Sequence, residues 1–203
     1  MKRPMLRAAL GCRSHSGWAA LVALAGPPDS PHVIDRRRIE IADAEIRGSK
    51  QPYHFAEQMD FPEAEAFLKG CARSTSRLAV QSLRGAIDDI RVCGYQASDL
   101  GLTLGSGRPL PALKAILSSH ALIHTAEGEF YREELLKAGK QCGLSVLGVK
   151  ERELFDRASF HFRLPLDELE RRVSELGKPL GPPWAQDQKW AALIAWLALS
   201  GAV

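Results

Sequence analysis

The sequence predicts an α/β fold in which a mixed five-stranded sheet carries helices on its faces. The first part of the chain holds three apolar runs joined by short turns, a pattern typical of an antiparallel meander. The rest of the chain alternates helical segments with short apolar runs, which favours parallel strands joined by helical crossovers. The predicted order of elements is therefore β-β-β-α-β-α-β-α.

The three apolar runs are the predicted antiparallel strands. The first extends from Leu6 to Cys12, the second from Trp18 to Ala25, and the third from His32 to Ala42. The second run stops at residues 26–31, where glycine and proline give a strong turn signal. The first two runs are too short to span a bilayer or to act as a signal sequence, so we expect neither membrane insertion nor secretion.

Helical and apolar segments alternate over the remainder. Residues 43–60 are polar and irregular and form the longest predicted loop, which is a candidate for function or mobility. Pro62 suits the first turn of a helix that continues to about Val92, and Gly94 would end it. The later predicted elements are a strand at Leu100–Leu104, a helical region at Pro111–Gln141 with or without a break, a strand at Leu144–Val149, and helices at Glu151–Phe160, Leu166–Leu176 and Ala185–Leu199. The last helix is apolar nearly all round and should be buried.

Length and composition predict one domain that covers residues 1–203. The apolar fraction of 45% and the charged fraction of 25% are those of an ordinary globular protein. The net charge of +3 neither demands nor excludes a nucleic-acid partner, because a local basic patch would matter more than the sum. Four scattered cysteines without a CxxC pair indicate reduced thiols and a cytoplasmic protein. The oligomeric state is left open.

This order of elements resembles that of the ribonuclease H-like superfamily, which includes Holliday-junction resolvases of the RuvC type and, in a wider sense, the actin-like kinases. The resemblance covers nearly the whole chain and rests on element order, without a sequence motif. It implies a cluster of carboxylates that holds two divalent ions for phosphodiester cleavage. In that superfamily one acid lies on the first strand, another near the end of the fourth strand, and another on the final helix.

Only one of these three expected carboxylates is found, Asp187 on the last helix. The first strand ends in Arg13, Ser14 and His15, and the fourth ends in residues 105–108, which contain no acid. Ordinary two-metal nuclease chemistry is therefore not expected. The resemblance then implies a member of the superfamily whose acidic cluster is altered or lost.

The turn after the fourth strand is the predicted phosphate-binding segment, because ligands of α/β sheets gather at the carboxyl ends of strands. Gly105, Ser106 and Gly107 can bring bare backbone N–H groups close to an anion, and Arg108 adds a fixed charge. His15, at the end of the first strand, could face the same edge of the sheet. The alternative is that these glycines only form a tight strand-to-helix turn.

His120, His124 and Glu127 follow one another at i, i+4 and i+7 and would share one face of an unbroken helix. With Asp187 they are the predicted ligands of a divalent ion such as Mg²⁺, Mn²⁺ or Zn²⁺. His124, Glu127 and Asp187 are equally the predicted catalytic residues, since a carboxylate can orient a histidine for proton transfer. The alternative is that Thr125 caps a new helix, which would destroy the shared face.

Two functional hypotheses follow for the chain. The first is a phosphodiester- or phosphoryl-directed hydrolase that acts on nucleic acid or nucleotide through an atypical His/Glu/Asp site. The second is a non-catalytic binding or assembly module that kept the fold and lost the acidic cluster, since one fold hosts many functions. His54, which follows Pro52 and Tyr53 in the long loop, ranks below His124 because a lone histidine is more often structural.

Overall fold

A five-stranded mixed sheet lies at the centre of the computed structural model, which describes residues 4–105 and 107–202. The strands are β1 (Leu6–His15), β2 (Trp18–Ala25), β3 (His32–Glu40), β4 (Tyr95–Leu104) and β5 (Ser145–Lys150). Their order across the sheet is β3-β2-β1-β4-β5, with β1–β2 and β2–β3 antiparallel and β1–β4 and β4–β5 parallel. The predicted sheet is confirmed, and β1 and β4 are longer than the apolar runs that predicted them.

Seven α-helices connect and cover these strands within the described residues. They are α1 (Pro52–Ala56), α2 (Phe61–Val92), α3 (Leu113–Leu117), α4 (His120–Gln141), α5 (Leu154–Phe162), α6 (Leu166–Leu176) and α7 (Gln186–Leu199). The long helix α2 begins where the side chain of Asp60 accepts a hydrogen bond from the backbone N–H of Glu63, which satisfies one of the free donors of the first turn. No helix in the described part of the chain is long and apolar enough to cross a membrane.

The helices form a layer on each face of the sheet. Alternate residues of β1 point to opposite faces, so that Leu10 packs with the buried residues of α2 and α4 while Ala9 packs with those of α7. Helices α5 and α6 complete the second layer. Residues 191–199 of α7 are all buried, which confirms the prediction made from its apolar sequence.

Helix α7 lies unusually close to the sheet because two glycines face it. Gly11 of β1 and Gly101 of β4 are neighbours in the parallel ladder. A Cβ atom at Gly11 would overlap the carbonyl oxygen of Ala191, and one at Gly101 would overlap that of Ile194. The backbone of α7 therefore rests directly on the centre of the sheet, which no side chain larger than hydrogen would permit at these two positions.

The segment that carries His120 and His124 is one continuous helix. The break in the predicted helical region falls at residues 118–119, and α4 then runs unbroken from His120 to Gln141. The Thr125 hydroxyl donates a hydrogen bond to the carbonyl oxygen of Ala121, 3.0 Å away, inside this helix. The alternative in which Thr125 starts a new helix is therefore wrong, because the chain had already turned before His120.

We expect Gly11→Ala to lower the free energy of unfolding by about 1–3 kcal/mol, because the added methyl group must push α7 away from the sheet. The measurement is chemical denaturation followed by circular dichroism. The matched control is Gly70→Ala in α2, where an added Cβ meets nothing within 4 Å and should stabilise the helix by up to about 1 kcal/mol. Equal stability of the two variants would show that α7 does not depend on the glycine contact.

Candidate functional site

Three histidines converge beside a buried glutamate, and we call His54, His120, His124 and Glu127 the histidine centre. His54 comes from α1 and the other three residues come from the first turns of α4. The Nε2 atoms of His120 and His124 are 3.0 Å apart. One nitrogen from each of the three histidines lies within 4.8 Å of the others. Two elements distant in sequence thus bring three imidazoles to one point.

Glu127 is the buried member of the histidine centre, with 4% of its surface exposed. Its Oε2 accepts a hydrogen bond from the backbone N–H of Tyr53 at 3.1 Å and lies 3.4 Å from His54 Nδ1. Its Oε1 is buried and has no hydrogen-bond partner among the described residues. Burial raises the pKa of Glu127 to about 7, against the opposing effect of backbone hydrogen bonds from Tyr53 and His54. Glu127 therefore fixes the position of His54.

The segment that carries His54 is attached to α4 at several points. The Tyr131 hydroxyl donates a hydrogen bond to the carbonyl oxygen of Ser49, just before α1. The ring of Tyr53 packs edge-on against Phe130, with ring centroids 6.1 Å apart. The sequence could not place His54 beside α4, because these contacts join residues more than 70 positions apart in the chain. The only sequence signal was its place in the longest loop.

A second group of charged residues lies at the carboxyl ends of β1, β4 and β5, and we call it the arginine–carboxylate cluster. Its members are Arg13, Glu129, Arg132, Glu151 and Asp187. The Arg13 guanidinium donates hydrogen bonds to Asp187 and to Glu151, and it lies 4.5 Å from the centroid of a tryptophan ring in α7, that of Trp190. The cluster therefore neutralises much of its own acidic charge.

Two of the predicted site residues lie together beside this cluster. His15 Nε2 is 2.9 Å from Asp187 Oδ1, and the His15 ring stacks on Trp18 with centroids 4.3 Å apart. Both side chains are therefore engaged with protein groups at the end of β1. Asp187 is held here, by Arg13 and His15, and it is not among the residues that gather at the histidine centre.

The carboxylates of this cluster do not fit a pair of divalent ions. Where the resemblance implies an acid on the first strand, β1 supplies Arg13, whose positive charge lies between Glu151 and Asp187. Arg132 adds a second guanidinium, 3.5 Å from Glu151 and 4.0 Å from Glu129. Two fixed cations among three carboxylates leave little net negative charge to attract Mg²⁺ or Mn²⁺.

The predicted phosphate-binding segment borders the arginine–carboxylate cluster. A Cβ atom at Gly105 would overlap the Glu129 carboxylate, and one at Gly107 would lie 3.0 Å from Lys150 Cε. Arg108 follows with an exposed side chain, and Ser106, also predicted to contact phosphate, lies outside the described residues. The described part of this turn thus places glycine backbone close to the side chain of Lys150.

The predicted site residues therefore divide into two groups. His120, His124 and Glu127 belong to the histidine centre, whereas His15, Asp187 and the glycine turn belong to the neighbourhood of the arginine–carboxylate cluster. His120 and Glu129 are nine residues apart on α4, which is about 14 Å along the helix axis. The sequence did not predict that Glu151 belongs to the arginine–carboxylate cluster, because its contact with Arg13 joins residues 138 positions apart.

The protein has a ribonuclease H-like fold, as its likeness to solved structures shows. T. thermophilus RuvC in complex with a Holliday junction substrate is 7% identical, with a TM-score of 0.51, over 94% of this chain and 90% of that chain. A Thermus thermophilus RuvC structure is 11% identical (TM-score 0.49, 93% and 91% covered), and an Aquifex aeolicus member of the Ppx/GppA family is 12% identical (TM-score 0.36, 76% and 38% covered). No protein-family model and no curated protein matches the sequence. At these identities the likeness concerns the fold alone.

We expect Arg13→Ala to lower the free energy of unfolding by about 1–3 kcal/mol, because Asp187 and Glu151 lose their shared cation in a partly buried cluster. Arg13 has 14% of its side chain exposed and Asp187 has 25%, so solvent screening keeps the effect below that of a fully buried pair. A double-mutant cycle with Asp187→Ala should give a favourable coupling energy of about 1 kcal/mol or more. Additive effects of the two substitutions would contradict the contact.

Proposed function

We propose that the protein is a phosphodiester- or phosphoryl-directed hydrolase that acts on nucleic acid or nucleotide, and that the histidine centre activates the attacking water. The observation that carries this proposal is the convergence of His54, His120 and His124 around one point, with Glu127 buried behind them. Three of the four residues of this centre lie at the start of α4, which comes after the β4 strand-end turn and the short helix α3, and ligands of such sheets bind near the ends of strands.

The chemistry suits imidazole side chains. In the hydrolysis the oxygen of water forms a bond to phosphorus, the bond from phosphorus to the leaving oxygen breaks, and that oxygen gains the proton that water loses. Imidazoles serve such a reaction as proton carriers or as ligands of an ion that acidifies the water. Glu127 is the positioning residue, because its contact with His54 Nδ1 fixes the orientation of that ring.

The substrate would bind from the histidine centre to the turn after β4. Backbone N–H groups at Gly105 and Gly107, with the charges of Arg108 and Lys150, form the proposed phosphate contact at the end of the sheet. The RuvC structure with a Holliday junction makes branched DNA a reasonable first substrate.

A second candidate function is a binding or assembly module without catalysis. Arg13 favours it, because a guanidinium now occupies the part of the fold where the resemblance implies a metal-binding carboxylate. In this case the strand-end residues would contact phosphate without cleaving it. The two candidates differ in whether a product forms, so a cleavage assay separates them.

Cleavage of labelled single-stranded DNA, duplex DNA, branched DNA, RNA and nucleotides, with and without added Mg²⁺, Mn²⁺ or Zn²⁺, is the test. We expect His124→Ala to lower the rate by about 100-fold or more, because the water-activating centre loses an imidazole. We expect Asp187→Asn to change the rate by less than about 3-fold, because Asp187 lies in the other cluster.

The matched control is His161→Ala, which removes a histidine of α5 whose contact is the Ser200 hydroxyl. It should cleave at the rate of the unmodified protein. If no substrate is cleaved with any of these ions while nucleic acid still binds, the hydrolase proposal fails and the binding module is supported. Loss of activity in Asp187→Asn but not in His124→Ala would move the reaction to the arginine–carboxylate cluster.

A further inference from the structure

We propose that His54, His120 and His124 bind one first-row transition-metal ion, for which Zn²⁺ is the reference, with an open coordination position toward solvent. The role of this ion rests on the proposed function, because the bound ion would activate the attacking water at the histidine centre. The predicted ligands Glu127 and Asp187 are replaced in this set by His54.

The spacing of the nitrogens suits a shared ion. One nitrogen from each ring lies within 4.8 Å of the others, and His120 Nε2 and His124 Nε2 are 3.0 Å apart. Tetrahedral Zn²⁺ with bonds of 2.0–2.1 Å to nitrogen would hold two such atoms at about 3.3 Å. The two nitrogens on α4 are thus already near the required separation, and rotation of the His54 side chain would have to bring its nitrogen closer to them. Two histidines one turn apart on a helix are a common metal-binding pair.

The choice of donors selects the class of ion. Three imidazoles without a carboxylate in the set favour zinc, copper, nickel or cobalt ions, whereas Mg²⁺ and Ca²⁺ require oxygen ligands. His120 and His124 are exposed, so an ion bound to them would also face solvent. Three protein ligands with a solvent position are typical of catalytic zinc sites, while structural sites use four protein ligands.

Glu127 supports the proposed site through its contact with the His54 ring. Its Oε2 lies beside His54 Nδ1, which leaves Nε2 of the same ring for the ion. A carboxylate behind a ligating histidine fixes the ring and strengthens it as a ligand. Its other oxygen, Oε1, is buried and without a partner in the described part of the chain, an arrangement that packing alone does not explain. We therefore assign Glu127 a positioning role and no direct bond to the ion.

The test is metal binding by the full chain, free of any affinity tag and stripped with a chelator. Isothermal titration with Zn²⁺ and elemental analysis should give one ion per chain. Co²⁺ should give the visible absorption of a four-coordinate site that Zn²⁺ abolishes. His120→Ala and His124→Ala alter exposed residues and should lower the affinity by about 100-fold or more. Glu127→Gln should lower it by about 10- to 100-fold, the range for residues that orient a ligand.

The controls separate this site from adventitious binding. His161→Ala should bind Zn²⁺ as tightly as the unmodified chain, and a large excess of Mg²⁺ should not displace the ion. Circular dichroism should show that each variant is folded. Absence of stoichiometric binding, or binding that survives both His120→Ala and His124→Ala, would overturn the proposal.

Failure of the metal site and failure of the hydrolase give different results. If Zn²⁺ binds as expected and no substrate is cleaved, the site stands and the hydrolase proposal fails. If cleavage depends on His124 but persists in the chelator-stripped protein, the hydrolase stands and the metal proposal is wrong, because the histidines then act as proton carriers.

Discussion

The close contact of α7 with β1 and β4 sets the distance between this helix and the centre of the sheet. Gly11 and Gly101 stand side by side in the sheet and leave room for the helix backbone itself. Any larger side chain at either position would overlap the α7 backbone, so the two glycines set how closely the helix approaches the sheet. The first turn of the helix then places Asp187 against Arg13, and the strand-end charges are ordered as a consequence.

Arg13 reduces the capacity of the strand-end carboxylates to bind an exchangeable metal ion. A guanidinium beside Glu151 and Asp187 satisfies them by charge and by hydrogen bonds, as a metal ion would, but it cannot be exchanged and presents no open coordination position. The cluster is therefore suited to holding β1, the end of β5 and α7 together. Any chemistry that needs an exchangeable ion requires another set of donors, and the set we propose is the three histidines of the histidine centre.

The fold could be predicted from the sequence because each apolar run is long enough to mark a strand or a helix face. The spacing of His120, His124 and Glu127 likewise placed them on one side of α4, since helical periodicity is a local property. His54 and Glu151 could not be placed, because their contacts join distant parts of the chain through the tertiary fold. The role of Gly11 was equally hidden, since a glycine inside a strand does not reveal which element approaches it.

Glu127 shows how the fold and the proposed site are linked. A buried polar atom without a partner costs about 1–3 kcal/mol, so Oε1 of Glu127 lowers the stability of the fold. The carboxylate is nevertheless held by the backbone of Tyr53 and lies against His54, at the point where α1 meets α4. Its Oε2 atom therefore connects α1 to α4 and orients the His54 ring. Replacing it with an apolar residue would remove both effects together, so the stability that Glu127 costs is tied to the geometry of the histidine centre.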